Sequence, residues 1–216
     1  MNRVRPFGEA AFLVDAGGPE AAQGLRRALV AEPLDGIIAL VPGRASLFVE
    51  FDALTTDVAS LAAALESVLP TPEAAGRERV IPVVYDGPDL AEVARLVGLT
   101  VAEVVEAHAT GHHRVLFGGF APGFAYVGGL PASWRIPRLA TPRTRTPAGS
   151  VAAADGMTGI YPAQLPGGWR VIGRTPVALF DSRREPPIYL EPGDRVRFEP
   201  MPIDDWERHL GPPADW

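Results

Sequence analysis

The chain has 216 residues, 47% apolar and 21% charged, which is enough for one large domain or two small ones with a proper core and argues against disorder. Its formal charge of −6 is a poor electrostatic footprint for nucleic-acid binding, so no nucleic-acid partner is expected. There is no cysteine and all 20 basic residues are arginine, which excludes thiol nucleophiles, thiolate metal sites, disulfides, Schiff bases, lysine bases and a Walker A loop.

The first residues, Met1-Asn2-Arg3-Val4-Arg5-Pro6-Phe7, lack the apolar run of a signal peptide, and no stretch of about 18 apolar residues occurs. A soluble cytoplasmic protein with no membrane partner is expected. Ala11-Phe12-Leu13-Val14 reads as a short strand, and Glu20 to Ala31 as a helix with Leu25 and Leu29 one turn apart. Gly36 to Val41 is a buried strand, Pro42-Gly43 a turn, and Ser46 to Phe51 a strand with Leu47, Val49 and Phe51 on one face. Leu54, Val58, Leu61, Leu65 and Val68 then recur at helical spacing until Pro70 and Pro72, and Val80 to Tyr85 is the next strand. The order β-α-β-β-α-β predicts a ferredoxin-like α+β domain over residues 1–85, with Thr71 to Arg79 leading into its last strand.

Two short helices follow. Asp89 with Glu92, and Thr100 with Glu103, both have capping-box spacing, and Gly98 ends the first helix. From Gly118 to Pro176, glycine and proline supply 19 of 59 residues, a density that no long helix survives. Short strands are expected at Arg114–Phe117, Val151–Ala154, Arg170–Ile172, Val177–Phe180 and Arg195–Glu199, as a mainly-β barrel or sandwich over residues 86–201. Residues 202–216 form a tail with Trp206 and Trp216 that either packs on the barrel or meets a partner.

Between Gly118 and Phe180 stand six arginines, Arg135, Arg138, Arg143, Arg145, Arg170 and Arg174, against one acid, Asp155. The guanidinium fork grips carboxylate or phosphate, so this is either an anion site or a set of arginines paired with acids elsewhere in the chain. Gly118 to Tyr126 interleaves glycines with Phe120, Phe124 and Tyr126 around Gly123, which reads as a pocket wall or as a tight turn with core aromatics. Thr158 to Pro162 and Pro166 to Trp169 add Tyr161 and Gln164 as hydrogen-bonding groups, Trp169 as a cover and Gly168 as a close backbone approach; turn chemistry with a core Trp is the alternative. Ser150, in Ala148-Gly149-Ser150-Val151-Ala152, lacks the second glycine of a nucleophile elbow and enters the candidate set as a substrate contact. His112-His113 has no clustered carboxylate or H-E-x-x-H spacing, so no metal site is predicted, and no G-x-G-x-x-G opens a helix.

The run Gly119-Phe120-Ala121-Pro122-Gly123-Phe124-Ala125-Tyr126-Val127-Gly128-Gly129-Leu130 resembles a signature of the 5-oxoprolinase B subunit family, also called allophanate hydrolase subunit 1. So do Pro142-Arg143 through Pro147-Ala148-Gly149-Ser150-Val151, Thr158 to Pro162, Pro166 to Pro176, and the closing Pro192-Gly193-Asp194-Arg195-Val196-Arg197-Phe198. The family often has Pro where Ala125 stands and Gly at Ala153 or Ala154. The resemblance implies an N-terminal α+β domain and a C-terminal cyclophilin-like β-barrel; no prolyl-isomerase signature accompanies it. It implies partnership with two further polypeptides, the C and A subunits of 5-oxoprolinase, in a complex that cleaves 5-oxoproline to glutamate using ATP, with Mg accompanying the nucleotide.

On that reading Arg143 or Arg174 would hold the substrate carboxylate, backbone N–H groups near Gly123 or Gly168 would steady an oxyanion, and Tyr161 and Gln164 would orient the ring. No triad is visible, so the chain is expected to be incomplete without the C subunit. The same family resemblance leaves two other functions open: inhibition of a sensor histidine kinase, and a carboxyltransferase-like role in urea or allophanate metabolism.

Overall fold

A computed structural model of the chain describes residues 2–72 and 76–216. It divides into two compact units, Met1–Ala75 and Gly76–Trp216. In the first, strands β1 (Arg3–Pro6), β2 (Ala11–Asp15), β3 (Ile37–Pro42) and β4 (Ser46–Phe51) form an antiparallel sheet in the order β1-β2-β4-β3. Helices α1 (Pro19–Ala31) and α2 (Val58–Ser67) supply Leu25, Leu29, Leu61 and Leu65 to a core shared with Phe12, Val14, Leu47, Val49 and Phe51. The Leu47/Val49/Phe51 face expected from the period-2 pattern is the buried one.

Two expectations for this unit are corrected. Leu54 does not belong to the helix and is 96% exposed. Asp57 starts α2 instead, its carboxylate accepting from the N–H groups of Ala59 and Ser60 at 3.1 and 3.2 Å. Nor does the strand read at Val80–Tyr85 complete this sheet. The edge beside β2 is filled by β1, while β5 (Glu78–Val83) runs parallel to β13 (Arg195–Pro200) in the second unit. The unit boundary therefore falls before β5 rather than at residue 85, because Ile81 and Val83 bury their side chains in the second core.

The second unit begins with β5, α3 (Leu90–Val97) and α4 (Val101–Thr110). Its strands β6 (His113–Gly118), β7 (Ala125–Gly128), β9 (Ser150–Ala154), β10 (Met157–Ile160) and β12 (Arg170–Arg174) join β13 and β5 in one sheet of order β12-β9-β10-β7-β6-β13-β5. Val84, just after β5, exchanges two backbone hydrogen bonds of 2.9 Å with Arg174 on β12, so the sheet nearly closes on itself as a barrel. A separate ribbon pairs β8 (Arg143–Thr146) with β11 (Leu165–Gly167). Val177–Phe180, expected as a strand, makes only isolated bridges, Val177 to Gly211 and Phe180 to Ile188. The tail packs on this unit. After the 3-10 segment Ile203–His209, Asp215 accepts from the buried guanidinium of Arg79 and from Tyr189 Oη, and Trp216 Nε1 donates to the Pro186 carbonyl.

Among the described residues no helix is long and apolar enough to cross a membrane.

His108 on α4 is fully buried, its ring 4.3 Å from that of Phe198 and 5.0 Å from that of His113. Thr158 donates its only hydroxyl proton to Ala152 O, so its oxygen accepts from His108 Nε2 at 3.0 Å; Nδ1 then accepts from Tyr85 Oη at 2.7 Å. Burial, with His113 nearby, holds the His108 imidazole well below the usual 6.5 and therefore neutral. Burial also lowers His113. The unfolded chain takes up the His108 proton below about pH 6.5 while the folded chain, with that ring buried and neutral, does not, so this contribution to stability is complete above that pH and is lost as pH falls. The expected slope is about 1.4 kcal/mol per pH unit for each withheld proton. Urea midpoints followed from neutral pH into the acid range should fall, and His108→Ala should flatten the dependence; a midpoint independent of pH would contradict the neutral, buried assignment.

Candidate functional site

Four of the six arginines in the glycine-rich region have carboxylate partners within the chain. Arg138 Nε binds Asp155 at 2.7 Å, and Arg143 Nη2 binds Asp89 Oδ1 at 2.7 Å. Arg170 pairs with Glu92 through Nη1 and donates from Nε to the Pro137 carbonyl at 3.0 Å. Arg174 grips Asp86 through Nε and Nη2, at 3.0 and 2.7 Å to Oδ2, and its guanidinium lies 4.9 Å from the centre of the Trp206 ring. Three of those acids, Asp86, Asp89 and Glu92, come from the segment at the start of α3. The pairing with acids elsewhere, left open by the sequence, accounts for these four side chains.

Asp89 does not cap α3 through its side chain. One carboxylate oxygen takes Arg143 and the other accepts the Val171 backbone N–H at 2.7 Å, which ties β8, β12 and the start of α3 together. Thr100 behaves as its spacing predicts, forming a complete capping box with Glu103.

The aromatic candidates do converge. Phe124, Tyr161 and Trp169 are buried in one cluster with Phe117, and half-buried Tyr126 packs against it. Phe124 meets Tyr161 edge-on with ring centres 5.4 Å apart and Trp169 at 5.8 Å; Tyr126 meets Trp169 at 5.7 Å and stacks on Phe117 at 4.4 Å. The loop before β7 holds Phe120 at φ +69°, with Ala121 N donating to Gly119 O at 2.8 Å, a γ-turn of the strained, positive-φ hand. The strain holds a 57% exposed Phe120 ring edge-on to Phe124 and Tyr161 at 5.3 and 6.3 Å. A non-glycine residue held in this region costs about 1–3 kcal/mol, and such residues gather at functional sites. Gly123 at φ +81° leaves no room for a side chain, since a Cβ there would stand 2.7 Å from Phe180 Cβ.

Tyr161 closes the cluster. Its backbone N–H donates to Ser150 O and its carbonyl accepts from Gly149 N, which brings buried Ser150 alongside. Its hydroxyl lies under Gly167, where a Cβ would be 2.1 Å from Oη. Burial pushes the phenol above its usual 10, against the opposing pull of the Trp169 backbone N–H, the Thr146 hydroxyl and the charges of Arg138 and Arg143. It is therefore a neutral hydroxyl at physiological pH, able to donate one hydrogen bond. Gln164 is exposed at the entry to β11, and Gly168 makes only ordinary contacts, its nearest Cβ neighbour being Pro142 at 3.6 Å. Sequence reasoning missed Asp89 as an arginine clamp, Gly167 as the residue that admits the Tyr161 hydroxyl, and Thr146 beside it. Only the Pro166-Gly167-Gly168 run hinted at close approach.

The sequence profile described as carboxyltransferase domain, subdomain C and D, matches residues 2–190. The chain is 34% identical to the 5-oxoprolinase B subunit of Bacillus subtilis (strain 168), covering 96% of each protein. It is 52% identical over 124 residues to the 5-oxoprolinase B subunit of Escherichia coli O157:H7; that alignment spans 56% of this chain and 57% of the relative. Among solved structures, the protein TTHA0988 superposes with a TM-score of 0.79 at 38% identity, over 93% of this chain and 40% of that one.

Proposed function

We propose that this chain, which belongs to the carboxyltransferase domain family, subdomain C and D, is the B subunit of an ATP-dependent 5-oxoprolinase that opens 5-oxoproline to glutamate. The observation that carries this reading is its end-to-end likeness to the 5-oxoprolinase B subunit of Bacillus subtilis. The finer architecture belongs to the same reading: a ferredoxin-like first unit whose outer strand is β1, and a cyclophilin-like barrel as the second. Its partners would be the C and A subunits of that enzyme, and a cytoplasmic setting suits a chain without cysteine.

5-Oxoproline presents a five-membered lactam and a carboxylate. The amide carbonyl is a poor electrophile, and ATP supplies the activation when bound to the complex. There is no lysine for a phosphate loop, and among the described residues no group of three or more His, Asp or Glu is placed to hold a metal ion. ATP is bound by the complex, and the role proposed here for this chain is positioning. Phe120, Phe124, Tyr126 and Trp169 wall the apolar ring and exclude water. The Tyr161 hydroxyl donates to the lactam oxygen as charge develops on it, and Gln164 and the backbone near Gly123, Ser150 and Gly168 orient the ring. Tyr161 is 2% exposed in the chain alone, so the site needs its companion polypeptide to open and complete it. Arg143 stays paired with Asp89.

Purified complex offered 5-oxoproline, allophanate and urea, each with and without a biotin carrier, tests the assignment. Glutamate formation from 5-oxoproline without the carrier is the expected outcome. Turnover of urea or allophanate alone would move the chain to carboxyltransferase chemistry, and capture of a sensor kinase in place of the companion subunits would make it a regulator.

A further inference from the structure

We infer that Thr146 is a positioning residue, whose hydroxyl donates to Tyr161 Oη in the loaded site and so turns the phenol proton toward the substrate; the inference rests on the 5-oxoprolinase reading above. Thr146 closes β8 and is 1% exposed. Its Oγ1 is buried and has no hydrogen-bond partner among the described residues. Side-chain hydroxyls in an interior usually end on a backbone carbonyl, and an orphaned one calls for an explanation. Thr158 in the same unit follows the rule, donating to Ala152 O at 3.0 Å. Thr146 does not.

What lies beside it is the phenol. Just after Thr146 the chain wraps Tyr161, whose carbonyl accepts from Gly149 N at 2.7 Å and whose N–H donates to Ser150 O at 3.0 Å. Across the ribbon Thr146 opposes Leu165, and Gly167, two residues on, covers the Tyr161 hydroxyl. A phenol has one proton to donate, and its oxygen also accepts. The donors that approach this oxygen are the Trp169 backbone N–H and the Thr146 hydroxyl. When both donate to it, neither takes the phenol's own proton, which is left for the lactam oxygen. Without the Thr146 donor, the phenol proton is free to settle on Thr146 Oγ1 instead, and the substrate loses its hydrogen bond. Hydrogen bonds of a reacting site are often long or poorly aligned before substrate binds and tighten afterwards, which accounts for an orphaned hydroxyl at this place.

The test uses the complex reconstituted from its three polypeptides, with 5-oxoproline as substrate. Thr146→Val keeps the shape of the side chain and removes its hydroxyl. It is expected to lower kcat about 10- to 100-fold with KM unchanged, because the contact acts on the group that meets charge developing in the transition state. Thr146→Ser keeps the hydroxyl and should recover most of the loss. In a Tyr161→Phe background Thr146→Val should cost nothing further, since the proton it orients is gone. Urea unfolding of the isolated chain should place the Thr146→Val midpoint at or above that of wild type, because an orphaned buried hydroxyl gives way to an apolar group of the same shape. Unchanged kcat in Thr146→Val, no recovery in Thr146→Ser, an equal loss in the wild-type and Tyr161→Phe backgrounds, or a lowered urea midpoint would each overturn the inference; the last would make the hydroxyl structural. A wild-type complex with no 5-oxoproline turnover would instead defeat the functional reading, and this inference with it.

Discussion

Asp89→Ala is expected to destabilise the chain by about 3 kcal/mol, more than any surface exchange. The carboxylate is buried, with one oxygen on Arg143 Nη2 and the other on the Val171 N–H, both at 2.7 Å. Removing it leaves a half-buried guanidinium and a buried backbone donor without partners, and that uncompensated desolvation is the larger part of the cost. Because Arg143 retains some exposure, the loss falls toward the lower end of the range for fully buried pairs. Urea unfolding of the isolated chain measures it. Asp89→Asn, which keeps the acceptor for Val171, should cost less, and adding Arg143→Met to Asp89→Ala should restore part of the loss, a coupling that a double-mutant cycle reports. A wild-type midpoint for Asp89→Ala would mean that the clamp holds nothing.

Gly167→Ala is expected to reduce turnover of the assembled complex about 100-fold, the penalty for shifting a positioned group by about 1 Å. The new methyl would lie 2.1 Å from Tyr161 Oη and 2.7 Å from Cζ, so the phenol must leave its place. Tyr161 is packed edge-on against Phe124, and the displacement also overpacks the cluster, costing roughly 1–3 kcal/mol of stability. Gly168→Ala, one residue on, meets nothing closer than 3.6 Å and should leave stability within about 0.5 kcal/mol. Full activity in Gly167→Ala would show that the Tyr161 hydroxyl has no part in the reaction.

How much of this is legible in the sequence depends on the range of the interaction. The capping box at Thr100 and the glycine at the end of α3, at φ +72°, are local signals, and the structure matches both. The pair Asp89 and Glu92 has the same spacing, but both carboxylates are taken by arginines 54 and 78 residues away, and no local pattern reports that competition. Periodicity marks the strand near Val80 without naming its neighbour, which is why the expected sheet is the wrong one; the short polar β1 carries too weak a pattern to claim the edge it occupies. The Asp155-Gly156 hairpin, with φ +53° and +78° joining β9 to β10, is readable from that dipeptide. At the site, alternating glycines and aromatics announce the cluster, while the fit of Tyr161 beneath Gly167 emerges only when β11 folds back over the turn after β10.

The most direct measurement follows labelled 5-oxoproline by NMR in a mixture of the three purified subunits with ATP, and in the same mixture lacking this chain. Ring opening to glutamate that stops when the chain is left out is the predicted result. Undiminished glutamate formation in its absence would contradict the account.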